Sequence, residues 1–560
     1  MVNSIMLHST PTRRSVIICL FRHDLRIRDN PILHYANSHP TATHMLPVYC
    51  FDPRQVNLTR ARGKDYAEPK SRLFNLPRSS KLRTRFLVES VLNLKTNLKK
   101  LGSELLIALE PPEEFLPRVA DELLPEYDVE AVYLQEEVTD EEIRVQQKLI
   151  HRMNAPVESF HGATLVHPED LPFPMEDLPD VYTKFRKAVE SMDTPFRPVL
   201  PTPKKLKPLP GNDLLDQMLT VDADHLLPSM GVVDTAPDLR TVFPFGGGED
   251  QAIERLTDWV WNTKSISTYK ETRNGLLGTD YSSKLSPWLA LGCLSPREIL
   301  KQVEAYEDSN EANVSTYWIR FELLWRDYFW FVGGKYGNGI FHRDGVLANR
   351  SDDQPSWKVD PNLMKAWIHG ETGIPWVDAN MRELRNTGYM SNRGRQNVAS
   401  FLAKDLRVDW RFGGEWFETH LLDYDPCSNY GNWQYGWFSV AGVGNDPREN
   451  RHFNMIKQAK DYDPEGKYVA MWCPELRDVP VEHIHTPWKM PHDVQQKANC
   501  VIGRDYPEPI VLQEVWEKHV ARPPKDTKKS SGNPNERVSK KDSRRRQRRK
   551  AKASKPHSHR

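Results

Sequence analysis

The sequence predicts an α/β domain with a doubly wound parallel sheet, followed by a second domain that is almost entirely α-helical. Three observations support this prediction. Short apolar runs alternate with helical patterns up to about residue 164, a Pro-rich stretch without periodicity follows, and amphipathic patterns fill the chain to about residue 520. At 560 residues the chain is long enough for two domains with extensions.

Four apolar runs predict the strands of the first domain. These runs are residues 16–21, 45–51, 103–110 and 129–137. Helical patterns separate them, and the pattern over 84–102 ends in Lys-Lys-Leu-Gly, as helix C-termini commonly do. Because alternating strands and helices form parallel βαβ units, we place an α/β domain at residues 15–164.

The remaining chain divides into a connector, a helical domain and a tail. Residues 165–245 are rich in Pro and lack sustained periodicity, so we expect this connector to wrap the surface or carry short helices. From 246 to 520, apolar residues recur at helical spacing and β-branched alternation is scarce. These features predict a helical domain, followed by a disordered basic tail over 521–560.

Charge is distributed unevenly along the chain. The tail has 16 Lys and Arg against 3 Asp and Glu, whereas the first 520 residues have 61 basic and 73 acidic residues. A nucleic-acid site on the body must therefore be a local patch. The tail itself would suit a nuclear import signal, or nonspecific contact with RNA or other nucleic acid.

Composition also bears on compartment. Six cysteines without C-x-x-C spacing predict reduced thiols in an intracellular protein and argue against structural zinc. No apolar run approaches a membrane span, and no secretory leader is evident. We expect a monomer without membrane contact, located in the nucleus on the strength of the tail, with the cytoplasm or mitochondrion as alternatives.

The segment 427–450 indicates where chemistry takes place. It is rich in aromatic residues, Asn and Gly, but has no Ser–His pair and no cluster of metal ligands. Such a composition suits a site in which a bound cofactor supplies the reactive groups and the protein supplies stacking surfaces and an electron path. For a single Trp such as Trp357, Trp410 or Trp433, however, core packing is the default expectation.

Two nearby motifs allow several interpretations. The hydroxyls of Ser282, Ser283 and Ser286 would bind phosphate, but this pattern is more often a helix cap. Asp423 and Asp425 could bind a metal, act as acid and base, accept bonds from a cofactor, or hold Arg393 or Arg395. The glycines of AGVGN form no dinucleotide fingerprint, because no βαβ unit surrounds them.

Several long motifs closely resemble those of the cryptochrome/photolyase family, and within it the DASH-type cryptochromes. They are TYKETRNG, KLSPWLALGCLSPR, FELLWRDYF, GIPWVDANMRELRNTGYMSNRGRQNVASFLAKDL and DYDPCSNYGNWQY…AGVGNDPREN. The resemblance extends from about residue 16 to 516. It implies an N-terminal antenna domain, a C-terminal helical domain that buries FAD, and electron transfer driven by blue light.

The resemblance implies roles for residues at matching positions. Asn429 matches the residue facing flavin N5, where a neutral amide implies a stabilised reduced or anionic flavin, and Asp423 and Arg395 match the ion pair beside the isoalloxazine. Glu137 is expected to contact an antenna folate, 5,10-methenyltetrahydrofolate. The expected FAD contacts are Tyr269, Ser282, Ser283, Lys284, Leu285, Ser286, Arg395, Asp423, Tyr424, Asp425 and Asn429.

Two further sets follow from the same resemblance. Trp433, Trp410 and Trp357 match the electron-transfer triad, from the flavin outward. Tyr435 stands where photolyases for duplex DNA have a second Trp, and Gln396 replaces an apolar Met. The expected lesion-cavity residues are Arg273, Glu322, Trp325, Asn392, Arg393, Gln396, Tyr435 and Gln458.

The implied activity is repair of cyclobutane pyrimidine dimers in DNA. Single strands should be favoured, because Tyr435 offers less stacking surface than Trp and extrusion of a dimer from a duplex costs free energy. The alternative is a blue-light photoreceptor that binds nucleic acid without repairing it. An insert, GWFSV, sets this chain apart; its Trp437 and Phe438 would add stacking surface, form a surface bulge, or reflect a retained intron.

Overall fold

The computed structural model describes residues 14–58, 60–61, 64–211, 213–219, 223–232, 237–346, 356–435 and 452–520. The basic tail and the insert with Trp437 and Phe438 lie outside these ranges, so the predictions made for them stay predictions. Within the described ranges, no helix combines the length and apolar character needed to cross a bilayer.

The N-terminal part contains a parallel sheet. The strands are β1 (Arg14–Phe21), β2 (His44–Cys50), β3 (Arg60–Ala61), β4 (Lys64–Asp65), β5 (Leu106–Ala108), β6 (Tyr127–Gln135) and β7 (Val157–Phe160). Five of them form a parallel sheet in the order β5-β2-β1-β6-β7, and β3 pairs with β4 in an antiparallel hairpin. The order runs outward from β1 in both directions, which confirms the predicted doubly wound topology.

The centre of this sheet is apolar on both faces. In β1, Ile18 lies opposite Leu46 of β2 and Val132 of β6, and all three side chains are buried. Such strands read as continuous apolar runs, which is why the sequence predicted β1, β2, β5 and β6. The fifth strand, β7, was not predicted, because its sequence VESF lies at the sheet edge and is partly exposed.

Helices flank the sheet and continue into the connector. They are α1 (Pro31–Ser38), α2 (Lys81–Lys100), α3 (Pro112–Arg118), α4 (Asp140–Arg152), α5 (Tyr182–Glu190), α6 (Asp213–Met218) and α7 (Ala223–Ser229). As its pattern predicted, α2 ends in two lysines followed by Gly102, which has a φ of +78°. The last three helices, α5 to α7, lie in the connector. The expectation that the connector carries short helices is therefore confirmed.

The C-terminal part is helical. Its helices are α8 (Glu249–Thr257), α9 (Tyr269–Thr272), α10 (Ser286–Ala290), α11 (Pro296–Ser309), α12 (Val314–Tyr336), α13 (Pro361–His369), α14 (Pro375–Thr387), α15 (Asn392–Ser400), α16 (Trp410–His420), α17 (Pro426–Gln434), α18 (Met455–Tyr462), α19 (Lys467–Trp472), α20 (His492–Lys497) and α21 (Glu514–Val520). Between 246 and 520, the described residues contain isolated β-bridges but no strand ladder. The predicted all-α character is therefore confirmed.

The sheet and the helical part meet closely at one turn. Leu25 N–H donates to the Leu291 carbonyl over 3.2 Å, and the buried Arg26 guanidinium donates to the Gly292 carbonyl over 2.9 Å. Gly292 has a φ of +66°, and a Cβ there would collide with the His23 backbone. Only glycine suits this position, which brings the loop after β1 against the helical part.

Candidate functional site

A cavity of about 480 Å³ opens among the helices. This volume lies within the usual range for small-molecule sites. All the predicted FAD contacts other than the antenna residue Glu137 line it, together with every predicted lesion-cavity residue except Gln458. The side chain of Gln458 instead accepts a long hydrogen bond, 3.4 Å, from Asn397 Nδ2.

The two aspartates of the DYDP motif have different partners. Asp423 Oδ2 lies 2.9 Å from Arg395 Nη2 and also accepts the Ser286 hydroxyl over 2.7 Å. Asp425 caps α17, accepting from the Cys427 backbone N–H and from the Ser428 hydroxyl. Of the open alternatives, the geometry supports an ion pair with Arg395, and the described residues contain no group of three acidic, His or Cys side chains placed for a metal.

Asn429 lies in the first turn of α17, and only one end of its side-chain amide has a hydrogen-bond partner among the described residues. Its Nδ2 donates to the Gly414 carbonyl over 3.0 Å. Its Oδ1 is buried and accepts no hydrogen bond from the described residues, as is also true of Asp423 Oδ1. A buried acceptor without a donor costs free energy, so both oxygens fit a bound ligand that carries N–H or O–H groups.

The serine loop before α10 lines the cavity, but it does not cap the helix. The helix begins at Ser286, and its N-cap, Leu285, makes no side-chain hydrogen bond. The helix-cap interpretation of Ser282, Ser283 and Ser286 is therefore wrong. The Ser286 hydroxyl instead donates a hydrogen bond to Asp423, which lies 137 residues further along the chain. A tertiary contact therefore replaces the local cap.

Lys284, in the middle of this loop, is buried. Its Nζ lies 3.3 Å from the centroid of the Tyr281 ring and 4.5 Å from that of Tyr389. Burial lowers the pKa of the Lys284 amine well below its usual value. Nζ donates no hydrogen bond to the described residues, so it is a third polar atom that a cofactor could satisfy. Tyr281 and Tyr389 line the cavity but were not singled out as site residues, although Tyr389 lies in one of the resembling motifs and Tyr281 just before another.

Aromatic rings form one wall of the same cavity. The Trp325 and Tyr435 rings are 5.1 Å apart and inclined at 72°. Near them, Arg273 forms an ion pair with Glu322, and the Arg273 guanidinium also lies over the Trp318 ring. The flat ring surfaces of this wall suit stacking of nucleobases.

A second arginine group lies at the edge of the cavity. Arg393 Nη1 donates to Gln396 Oε1 over 2.9 Å, and its Nη2 donates to Asn274 Oδ1 over 3.1 Å. Asn392 also lines the cavity. Three expected lesion-cavity residues, Asn392, Arg393 and Gln396, thus lie together on α15.

The predicted electron path contains one ring stack. The Trp433 and Trp410 rings lie 6.4 Å apart at 29°, and both are fully buried. Gly413 allows this approach, because a Cβ there would lie 2.6 Å from Trp433 Cζ2. Trp357 is partly buried, and the adjacent Lys358 N–H donates to the Arg407 carbonyl, just before α16.

A second cavity, of about 590 Å³, lies between the sheet and the helices. Here Glu137 accepts from Gln135 Nε2 and lies 3.1 Å from His23 Nδ1. Burial alone would lower the pKa of His23, but the charge and hydrogen bond of Glu137 raise it to about 9. The sequence had singled out Glu137 but not His23, which follows β1.

The two cavities share a wall. Ala290, Arg326, Tyr424 and Asp425 line both of them. The Arg83 guanidinium, from α2, lies 4.5 Å from the centroid of the Tyr424 ring. We call the cavity among the helices the helical cavity, and the one between the sheet and the helices the interdomain cavity. Only one layer of side chains therefore separates the two.

Comparison with known proteins gives a consistent result. A family model described as the FAD binding domain of DNA photolyase matches residues 318–523, and one described as DNA photolyase matches 17–204. A Xenopus laevis protein named cryptochrome DASH is 49% identical, with 91% of this chain and 92% of the relative covered.

Solved structures agree in fold and extent. The crystal structure of a Synechocystis cryptochrome is 42% identical and covers 90% of this chain and 98% of its own, with a TM-score of 0.80. That of an Agrobacterium tumefaciens class III photolyase is 29% identical and covers 92% and 98%, with a TM-score of 0.71.

Proposed function

Because this chain belongs to the cryptochrome/photolyase family, and within it to the DASH cryptochromes, we propose that it repairs cyclobutane pyrimidine dimers in DNA under blue light, preferring single strands. The observation that carries the proposal is that one cavity collects both predicted sets, the FAD contacts and the lesion residues. A cofactor and a substrate bound in this cavity would lie next to each other.

FAD fits the cavity on the evidence of its unsatisfied polar atoms. Asn429 Oδ1 and Asp423 Oδ1 would accept from the cofactor, and the Ser282–Ser286 loop with Lys284 would face its polar groups. The Gly414 carbonyl holds the Asn429 amide so that it presents an acceptor. When bound and reduced, FAD supplies the light-driven electron that splits the cyclobutane ring and recovers it afterwards.

The protein's own side chains would bind and orient the dimer. Trp325 and Tyr435 offer ring surfaces, and Arg393, which lines the same cavity, would bind phosphate. A dimer must leave a duplex before it enters such a cavity, and this extrusion costs least in single strands. Tyr435 is smaller than Trp, so the stacking that repays extrusion is weaker, and single-stranded substrate is favoured.

The stacked pair Trp433 and Trp410 would conduct electrons between the cavity and the surface. The pair is buried and rigidly packed, and Trp410 Nε1 donates to the Arg343 carbonyl over 2.9 Å. We assign Trp357 to the outer end of this path. The path would return FAD to its reduced form under light.

The interdomain cavity would hold the folate antenna. Its lining includes the His23–Glu137 pair and Gln135 Oε1, a buried oxygen that accepts nothing from the described residues. These groups suit a heterocycle with exposed N–H donors, as 5,10-methenyltetrahydrofolate has. The single-layer wall of Tyr424 and its neighbours would keep the antenna close to the flavin site.

One assay tests the proposed function. The protein, reduced and carrying FAD, is illuminated with blue light in the presence of an oligonucleotide with one thymine dimer, either single-stranded or in a duplex. We expect thymine absorbance to recover, and to recover faster with the single strand. Photoreduction of FAD without recovery on either substrate would contradict repair and favour a photoreceptor.

A further inference from the structure

One residue of the connector contacts both aromatic residues of this cavity wall, Trp325 and Tyr435. Tyr182 is the first residue of α5 and is 2% exposed. Its ring lies almost parallel to that of Trp325, with the centroids 3.6 Å apart and an interplanar angle of 12°. Its backbone N–H donates to Tyr435 Oη over 3.2 Å.

Tyr182 is itself fixed in place. Its hydroxyl donates over 2.7 Å to the Phe321 carbonyl, one turn before Trp325 on α12. Further along α5, Phe185 and Val189 are buried, and the Phe185 ring packs 5.8 Å from that of Phe331. The phenol is thus held at its hydroxyl, at its ring and through its helix.

The backbone contact is equally specific. The first N–H groups of a helix have no partner within that helix. In α5 the Tyr182 N–H uses the Tyr435 oxygen as its acceptor. Tyr435 follows α17, so this bond ties the end of α17 to the connector.

We propose that Tyr182 is a positioning residue for the lesion. The ring stack fixes Trp325, the N–H fixes Tyr435, and together they hold the two rings at the 72° angle that meets a splayed dimer. Rings fixed in advance lose less conformational entropy when substrate binds, so affinity for the dimer is higher. This inference rests on the proposed function, because it assigns Trp325 and Tyr435 to the lesion.

Three substitutions separate the contacts. Tyr182→Phe keeps the ring and removes the hydroxyl, and Tyr182→Leu removes the ring but keeps the N–H. Tyr182→Pro removes both; a first helical position accepts Pro, and Val181, with φ −116° and ψ 119°, has the backbone that precedes one. Thr183→Ala, at an exposed position of the same helix, is the control.

The measurement is the ratio of dissociation constants for an undamaged single strand and for the same strand with one dimer, in the dark. We expect Tyr182→Leu to lower this ratio about 2- to 10-fold, the range of an aromatic pair. Tyr182→Pro should lower it by about a further 2- to 10-fold for the lost hydrogen bond. Tyr182→Phe should retain most of the wild-type ratio, and Thr183→Ala should leave the ratio unchanged.

Measurements of FAD content and of hydrogen exchange distinguish a positioning role from support of the flavin site and from failure of the proposed function. A wild-type ratio in Tyr182→Leu and Tyr182→Pro with full FAD would overturn the proposal. So would loss of FAD from Tyr182→Leu, since the residue would then support the flavin site instead. If the wild-type protein does not prefer the damaged strand, the proposed function fails, and hydrogen exchange decides the positioning role without DNA. Exchange should rise over 321–329 and 429–435 in Tyr182→Leu and Tyr182→Pro only; unchanged exchange there would overturn it.

Discussion

The two cavities differ in how far their side chains satisfy one another. In the interdomain cavity, charged side chains form ion pairs with one another: His23 pairs with Glu137, and Arg78 with Glu141. In the helical cavity, Lys284 Nζ and the second oxygen of Asp423 are buried without hydrogen-bond partners among the described residues. Each such atom costs about 1–3 kcal/mol when unsatisfied, so the helical cavity is suited to a permanently bound polar ligand.

The interdomain cavity has less need of a ligand to satisfy its buried polar atoms. Its charged side chains are paired, although Gln135 Oε1 is buried and accepts no hydrogen bond from the described residues. We infer that the helical cavity depends on its ligand more strongly than the interdomain cavity does. The shared wall of Tyr424 and Asp425 allows the two ligands to act together, although they are held by different means.

The largest expected effect concerns the proposed electron path through Trp433 and Trp410. Trp410→Phe removes one indole of the Trp433–Trp410 stack but no predicted FAD contact. We expect photoreduction of bound FAD to be lost while FAD content stays normal, as followed by absorbance under blue light. Trp376→Phe, at an equally buried tryptophan next to Tyr468, is the control and should photoreduce normally. Normal photoreduction in Trp410→Phe would refute the path.

The next effect tests whether the helical cavity depends on the ion pair between Asp423 and Arg395. Asp423→Asn removes the charge that pairs with the largely buried Arg395 guanidinium and leaves it only the Met390 carbonyl as an acceptor. Breaking a buried pair in this way costs about 3–5 kcal/mol, so we expect FAD to be lost on purification. The measured quantity is the ratio of FAD to protein. Asp505→Asn disrupts an exposed pair with Arg504 and should change nothing. A normal FAD ratio in Asp423→Asn would mean that the pair does not hold the cofactor.

A smaller effect concerns packing around the electron path. In Gly413→Ala the added methyl group collides with the Trp433 ring. Overpacking costs about 1–3 kcal/mol, which should outweigh the roughly 1 kcal/mol that Ala adds to a helix, so the free energy of unfolding in urea should fall.

Gly334→Ala is the matched control. Gly334 is also helical, and the nearest atom to its added Cβ, the Met175 sulfur, is 3.4 Å away. We expect this variant to be as stable as the wild type or slightly more stable. Equal gains in both variants would show that Gly413 has no steric role.

The accuracy of the sequence predictions followed the range of the interactions involved. Strands buried on both faces and long amphipathic helices were predicted correctly, because their patterns are local. The edge strand β7 was missed, since half exposure leaves no apolar run. The assignment of Ser286 to a cap failed because its hydroxyl bonds Asp423, a partner that only the fold brings near.

Site residues show the same division. The resemblance placed Asp423, Arg395 and Asn429 by position, and the structure brings them to one cavity. Tyr182 could not have been found, because the connector lacks periodicity and its contacts with Trp325 and Tyr435 cross 143 or more residues. His23 likewise joins Glu137 only when β1 and β6 lie side by side.

The smallest expected effect concerns the charge pairing of the interdomain cavity. The pKa of His23 is raised to about 9, so its stabilising contribution is complete below its ordinary value of 6.5 and is lost as the pH rises through 9. Burial would raise the pKa of Glu137, but His23 lowers it below 4.5, so its contribution is present above 4.5 and is lost at lower pH. The pair should therefore stabilise the fold most between about pH 4.5 and 6.5.

Glu137→Gln removes this pH dependence. The difference in free energy of unfolding from the wild type should be no more than about 1 kcal/mol near pH 6, because His23 is partly exposed, and should vanish above pH 9. Urea titrations from pH 5 to 10 measure it, with the exposed Glu482→Gln as control. A difference that is constant with pH would mean that Glu137 acts by packing rather than by charge. The interdomain cavity would then resemble the helical one, and the contrast between paired and unsatisfied cavities would fail.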